Sequence, residues 1–479
     1  MALVGLRLDG EAVALDDACL VAGWHAAEWT GGDALIRLDG ASIVELALAP
    51  ERLRHSMPAA PASRAARLRR RWLSAADAAC HHRPMNRQSR AAFPVPAFVT
   101  TTADLAALCE RLAREDFVTV DTEFMRERTY WPELCVVQLA SGSEVAVVDA
   151  EAPGIDLAPL GELLANQAVM KVFHAARQDI EIFVLRFGDV PRPLFDTQIA
   201  AMVAGFGDQV GYDALVSALT GGQIDKAHRF SDWSARPLSP AQITYAAADV
   251  THLRTVYEKL SERLARDGRL EWVAEEMGVL ADPATYRPDP EAMWERLRPR
   301  TSNRRMLGTL RAIAAWRERE AQKSNVPRQR MLKDEALLEI AATAPASAED
   351  LARARGVTRG FAEGKTGASL LAAIAAARAL PDTAMPEAQG GRDGPRPSPA
   401  LVSLLKVLLA TNCEAHNVAP KLVASSDDID RLATEDAPDV PATHGWRAEV
   451  FGHDAAALKA GRIALGVDGR RVKLIRSAA

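Results

Sequence analysis

Cysteine is scarce: Cys19, Cys80, Cys109, Cys135 and Cys413 are scattered through 479 residues, and no two form a C-x-x-C pair. That spacing argues against a zinc knuckle and fits a reducing compartment. No apolar run approaches the roughly 18 residues of a membrane-crossing helix, and the N-terminus lacks a basic-then-apolar leader. The simple expectation is a cytoplasmic protein without membrane contact. An excess of one charge is also missing, since 58 Lys and Arg against 63 Asp and Glu leave a formal −5. Such a balance does not announce a nucleic-acid binder, but it averages over domains and says little about local patches. What remains is a globular composition, 48% hydrophobic and 25% charged, with length for about three domains of ~150 residues.

The features that carry chemistry begin in residues 118–140, VTVDTEFMRERTYWPELCVVQLA. The apolar run 117–120 predicts a buried strand that delivers Asp121 and Glu123 two residues apart, on one face of a sheet. Acids at the end of a doubly covered strand are costly unless a cation or hydrogen bonds compensate them, and hard divalent metals commonly do so. An isolated D-x-E is also what an exposed strand end looks like, so the case needs further acids. Residues 171–183, KVFHAARQDIEIF, predict a strand running into a helix with Asp179 in its first turns. Residues 240–253, PAQITYAAADVTHL, predict a helix that places Tyr245 and Asp249 one turn apart on one face.

The order D-x-E, H-A-x-x-x-D, Y-x-x-x-D resembles the three exonuclease motifs of the DEDD superfamily, in the subclass with tyrosine in the third motif. The phrases DTEFMRERTYWPELCVVQLA, PLFDTQIA and SDWSARPLSPAQITYAAADVTHL resemble the ribonuclease D family more specifically, over about residues 99–260. The resemblance implies a metal-dependent 3′→5′ exoribonuclease acting on RNA with a free 3′ end, tRNA precursors being the implied substrate. It implies that Asp121, Glu123 and Asp249 hold one divalent ion, Mg²⁺ or Mn²⁺. Asp121 would bridge to a second ion that Asp179 helps to hold, and Tyr245 would position the attacking water or accept its proton. A carboxylate cluster with few imidazoles suits those metals better than zinc. Phe124 and Met125 are expected either against the terminal base or in the core. His174 is expected either near substrate or in a structural hydrogen bond. Arg126, Arg128 and Tyr130 lie in a polar loop where phosphate contact or stacking is plausible. A DNA exonuclease with the same metal centre is the nearest rival reading, and an inactive RNA-binding scaffold a remoter one.

Around this centre the expected organisation is as follows. Residues 95–264 form an α/β catalytic domain of ribonuclease H-like fold, a mixed sheet flanked by helices in the order β-β-β-α-β-α-β, with the acids at one edge. Residues 265–300 are a helical connector broken by prolines. Residues 301–381 resemble an HRDC module, mainly α-helical, with 14 Lys and Arg against 8 Asp and Glu. Arg317, Arg319, Lys323, Arg328 and Arg330 are expected to grip phosphates or to form a solvated face. A Pro/Gly-rich linker occupies 382–399, and a second, weaker HRDC-like module 400–479. GFGDQVG at 205–211 lacks dinucleotide-loop spacing and reads as a turn. Residues 1–84 form an extension of unknown role. Broken alternation over 4–48 suggests a small β-hairpin unit, RAARLRRR at 64–71 an RNA-contacting arm, and Cys80, His81 and His82 a weak metal set. Met85 is an alternative start. No protein partner is evident, and a monomer is expected.

Overall fold

The computed structural model describes residues 95–387 and 397–476 in full, and before them the backbone of four strands. The chain divides into two compact units, Met1–Ala76 and Asp77–Ala479. In the first, β1 (Leu3–Leu8), β2 (Glu11–Val13), β3 (Ala34–Arg37) and β4 (Ile43–Leu48) form an antiparallel sheet in the order β2-β1-β4-β3. The hairpin expectation for this stretch is met. The basic segment at 64–71, the Cys-His-His group and Met85 lie outside the described residues.

The second unit is built on a six-stranded mixed sheet, β10-β9-β6-β7-β8-β5. Its strands are β5 (Ala97–Val99), β6 (Phe117–Met125), β7 (Glu133–Ala140), β8 (Val145–Asp149), β9 (Met170–Phe173) and β10 (Leu194–Asp196). The short edge strand β5, parallel to β8, was not foreseen. It is three residues long, too short to show periodicity. β6 runs antiparallel to β7 and parallel to β9. It continues through both acids to Met125, with a bulge between Glu123 and Phe124 where its register on β7 shifts. The expectation that the acids sit at an edge of the sheet is therefore corrected: β6 is an interior strand. Buried residues on two faces explain its apolar start.

Helices α1 (Thr102–Leu112), α2 (Ala158–Ala165), α3 (Arg177–Phe187), α4 (Thr197–Val203) and α5 (Tyr212–Thr220) follow the strands. The 27-residue α6 (Pro240–Arg266) starts at a capping box in which Ser239 and Gln242 bond each other's backbone N–H groups, with proline at its first position. Its first half packs Ala246, Ala247 and Val250 on Cys135, Val136 and Val147. α7 (Leu270–Leu280) adds Val273, Met277 and Leu280 to the main core, which therefore continues past residue 264.

A second core, Met293 to Ile374, centres on α8 (Arg304–Ser324). Among its expected basic residues, Arg317 is buried and bonds the Leu332 carbonyl and Asp334, each at 2.7 Å. Arg328 pairs with the buried Glu318. These two arginines serve the fold and not a solvated face, a correction with a simple cause: a guanidinium can satisfy several buried acceptors at once. Of the expected linker, Met385 is buried against α8 and its carbonyl is held by Arg304, while Asp382 to Ala384 are exposed. A third core spans Leu405 to Ala455 and meets α7 through a Trp272–Trp446 stack, ring centroids 4.6 Å apart. The glycines of 205–211 do form a turn: Gly205 has φ +79, and a Cβ there would stand 2.4 Å from the Asn417 carbonyl oxygen.

Candidate active site

Strand alternation puts Thr119, Asp121 and Glu123 on the face of β6 that α6 covers, and Thr122 on the other. α6 brings Asp249 over that face. Oxygens of Asp121, Glu123 and Asp249 lie within 4.8 Å of one another. Among the described residues no Lys or Arg forms an ion pair with any of the three, nor with Asp179. Burial is the chief reason their carboxyl pKa values rise, Asp121 to about 7, Asp249 to about 8 and Glu123 to about 9. Asp121 adds its charge against Glu123 and Asp249, and a hydrogen bond with Tyr245 partly offsets the rise at Asp249.

Asp179 arrives from the opposite side of β6. It lies buried in the first turn of α3 and accepts a short hydrogen bond from the Thr122 hydroxyl. It stands outside the tight three-acid group, yet Asp121 raises its pKa by charge, after burial. The turn that launches α3 is strained: Ala175 has φ +54, in the left-handed region. Asp196 holds that turn, accepting the Ala175 and Ala176 N–H groups at 3.0 and 2.8 Å while also capping α4. The phrase PLFDTQIA thus contains a positioning acid that sequence reading did not single out.

Tyr245 bonds Asp249 one turn on, and burial together with Asp249, Glu123 and Asp121 pushes its phenol pKa upward. A cleft of about 370 Å³ is lined by Asp121, Asp249, Tyr245, His174, Tyr212 and Arg229, with others. His174 makes the structural hydrogen bond expected of it and also borders the cleft. Its Nδ1 lies 2.9 Å from the Thr197 hydroxyl, and its ring borders the cleft; burial lowers its pKa to about 4, so it is neutral.

A second cleft, about 540 Å³, contains Glu123, Phe124, Met125, Arg128, Arg229 and Phe230 among its lining. Phe124 belongs to this cleft, whereas Met125 also packs on the core beneath α6. Arg126 is held by Glu181 at 2.6 Å, and Tyr130 is buried against α8. Neither is a free loop contact, because both are consumed by tertiary partners. Sequence reading missed Arg229 and Phe230. They sit on a loop pinned by buried Trp233 and by Lys226–Asp213 at 2.7 Å, and Phe230 is 90% exposed. An Arg-Phe pair in an otherwise polar segment is the available signal.

Residues 96–265 match the 3′-5′ exonuclease family and residues 306–374 the HRDC domain family. A ribonuclease D of Gluconacetobacter diazotrophicus is 71% identical over 391 residues, covering 82% of this chain and all of the relative. One from Nitrobacter hamburgensis is 51% identical over 380 residues, 79% of this chain and 99% of the relative. The crystal structure of Escherichia coli RNase D, described as an exoribonuclease involved in structured RNA processing, is 30% identical with a TM-score of 0.66. It covers 77% of this chain and 99% of its own. Fold and site thus define a 3′–5′ exonuclease of the DEDD kind joined to an HRDC region. The chain belongs to the ribonuclease D family and is a 3′–5′ exoribonuclease.

Proposed function

We propose that the enzyme trims RNA from a free 3′ end by hydrolysis assisted by two divalent ions, Mg²⁺ or Mn²⁺, with tRNA precursors as substrates. The observation that carries this reading is the three-acid group within 4.8 Å, which among the described residues forms no ion pair with Lys or Arg. Oxygen donors alone, without thiolate or imidazole, fit hard cations. Bound there, such ions supply an activated water and charge neutralisation on the leaving oxygen. Asp121, Glu123 and Asp249 would hold one, and Asp179, with Asp121, would help to hold the other.

The chain's own groups do the rest. Tyr245, which borders the cleft beside Asp121 and Asp249, positions the attacking water. Phe124 and the exposed Phe230 flank the second cleft as faces for nucleobases, and Arg229, which borders both clefts, meets the phosphate between them. The helical region at 301–381 and a second HRDC-like module at 400–479 guide structured RNA toward the clefts. Residues 95–264 supply the chemistry, 265–300 the connection. We take the working unit as one chain in the cytoplasm; among the described residues no helix is long and apolar enough to cross a membrane.

The deciding experiment is degradation of matched 3′- and 5′-labelled RNA and DNA oligonucleotides with Mg²⁺, Mn²⁺ or chelator, wild type against Asp121→Ala. Stepwise loss from the RNA 3′ end, dependent on metal and on Asp121, is the expected result. Equal degradation of DNA would transfer the reading to a DNA exonuclease.

A further inference from the structure

The three acids come from two elements, β6 and α6, so their spacing depends on how firmly the helix is registered on the strand. Apolar contacts between them are non-directional. Hydrogen bonds weaken steeply when misaligned, so they are the contacts able to set register. Two hydroxyls supply them at successive carbonyls of the Asp249 turn. The Tyr212 hydroxyl, from the first residue of α5, donates to the Asp249 carbonyl. Thr119 Oγ1 donates to the Val250 carbonyl at 2.8 Å, with the Ala140 carbonyl of β7 at 3.3 Å. Thr119 is fully buried and shares its strand face with Asp121 and Glu123.

We propose that Tyr212 and Thr119 are positioning residues that clamp the Asp249 turn onto β6 and so set the spacing of the cation ligands. The clamp works from two directions, α5 and β6, and therefore resists both rotation and sliding of α6. Neither hydroxyl needs to touch an ion or RNA. The inference rests on the reading that these acids bind divalent cations, and its test separates the two.

Mn²⁺ is titrated calorimetrically into the full chain without RNA, for wild type, Asp249→Ala, Tyr212→Phe, Thr119→Val and Thr119→Ser, with circular dichroism to confirm folding. Tyr212→Phe and Thr119→Val are each expected to weaken Mn²⁺ binding about tenfold, the usual effect of losing an outer-shell partner. Thr119→Ser keeps the hydroxyl and should bind as wild type does. Unchanged Mn²⁺ affinity in folded Tyr212→Phe and Thr119→Val overturns the clamp. If Thr119→Val does not fold, Tyr212→Phe and the serine variant decide. If Asp249→Ala itself binds Mn²⁺ like wild type, the cation reading fails instead.

Discussion

Asn325 Oδ1 accepts the backbone N–H of Tyr130 at 3.1 Å, tying the end of α8 to the loop that follows β6. The tie is part of a network. Arg328 donates to the Tyr130 hydroxyl at 2.7 Å and to Glu318 at 2.6 Å, and its guanidinium lies 4.6 Å from the Tyr130 ring centroid. The loop that leaves the metal-ligand strand is thereby anchored to the helical region.

Arg328→Ala should destabilise the protein by about 3 kcal/mol, because it strands the buried Glu318 carboxylate without its cation. Burial raises the Glu318 pKa, but hydrogen bonds from Arg328 and Tyr130 outweigh it and hold the carboxyl below its usual range. A depressed carboxylate contributes stability at neutral pH that is lost as pH falls through its folded pKa. Urea unfolding of wild type and variant should therefore differ most near neutrality and converge on acidification. A pH-independent gap would reject the assignment.

Without metal, the raised pKa values of Asp121, Glu123 and Asp249 have the opposite sign. The unfolded chain releases those protons first, so the folded protein should lose stability as pH rises from about 5 to 9. Mg²⁺ should restore it, more at pH 8 than at pH 5. Glu123→Gln should raise the metal-free stability at pH 8 and forfeit most of the gain from Mg²⁺. Thermal melts with chelator and with Mg²⁺ check both statements.

Asp121→Ala and Asp249→Ala should each lower turnover by about 10³ or more, ~4 kcal/mol of barrier, while RNA binding persists. Tyr245→Phe should lower the rate by roughly 10²-fold with the Mg²⁺ requirement unchanged. Single-turnover cleavage beside filter binding separates the cases. A wild-type rate for Tyr245→Phe would remove the phenol from the mechanism.

Phe230→Ala should raise KM for short single-stranded RNA about tenfold, near the worth of one base stacked on an aromatic ring, with kcat little changed. Phe230→Trp should bind at least as well as wild type. If the alanine variant keeps the wild-type KM, the exposed ring is not a base platform.

The acids and the tyrosine were legible because their spacing is local: period 2 on a strand joins Asp121 to Glu123, and one helical turn joins Tyr245 to Asp249. The strands around them were legible as apolar runs, except β5, too short to show a pattern. Met125 and His174 were left with two readings each; the structure shows Met125 packed beneath α6 and His174 beside the Thr197 hydroxyl, both also bordering a cleft.

The sequence by itself determined the chemistry available, a set of hard oxygen donors on elements of known type, and the order of the domains that carry them. Only the tertiary structure decided which charges are free to act. Arg317, Arg328 and Tyr130 look like surface groups in the chain, yet they are spent inside the fold, while Phe230 is held out in solvent. It also decided that Asp249 stands over Asp121 and Asp179 beyond Thr122. The physical reason is that partners 128 residues apart in sequence, such as Asp121 and Asp249, meet through packing and hydrogen bonds that no local periodicity encodes.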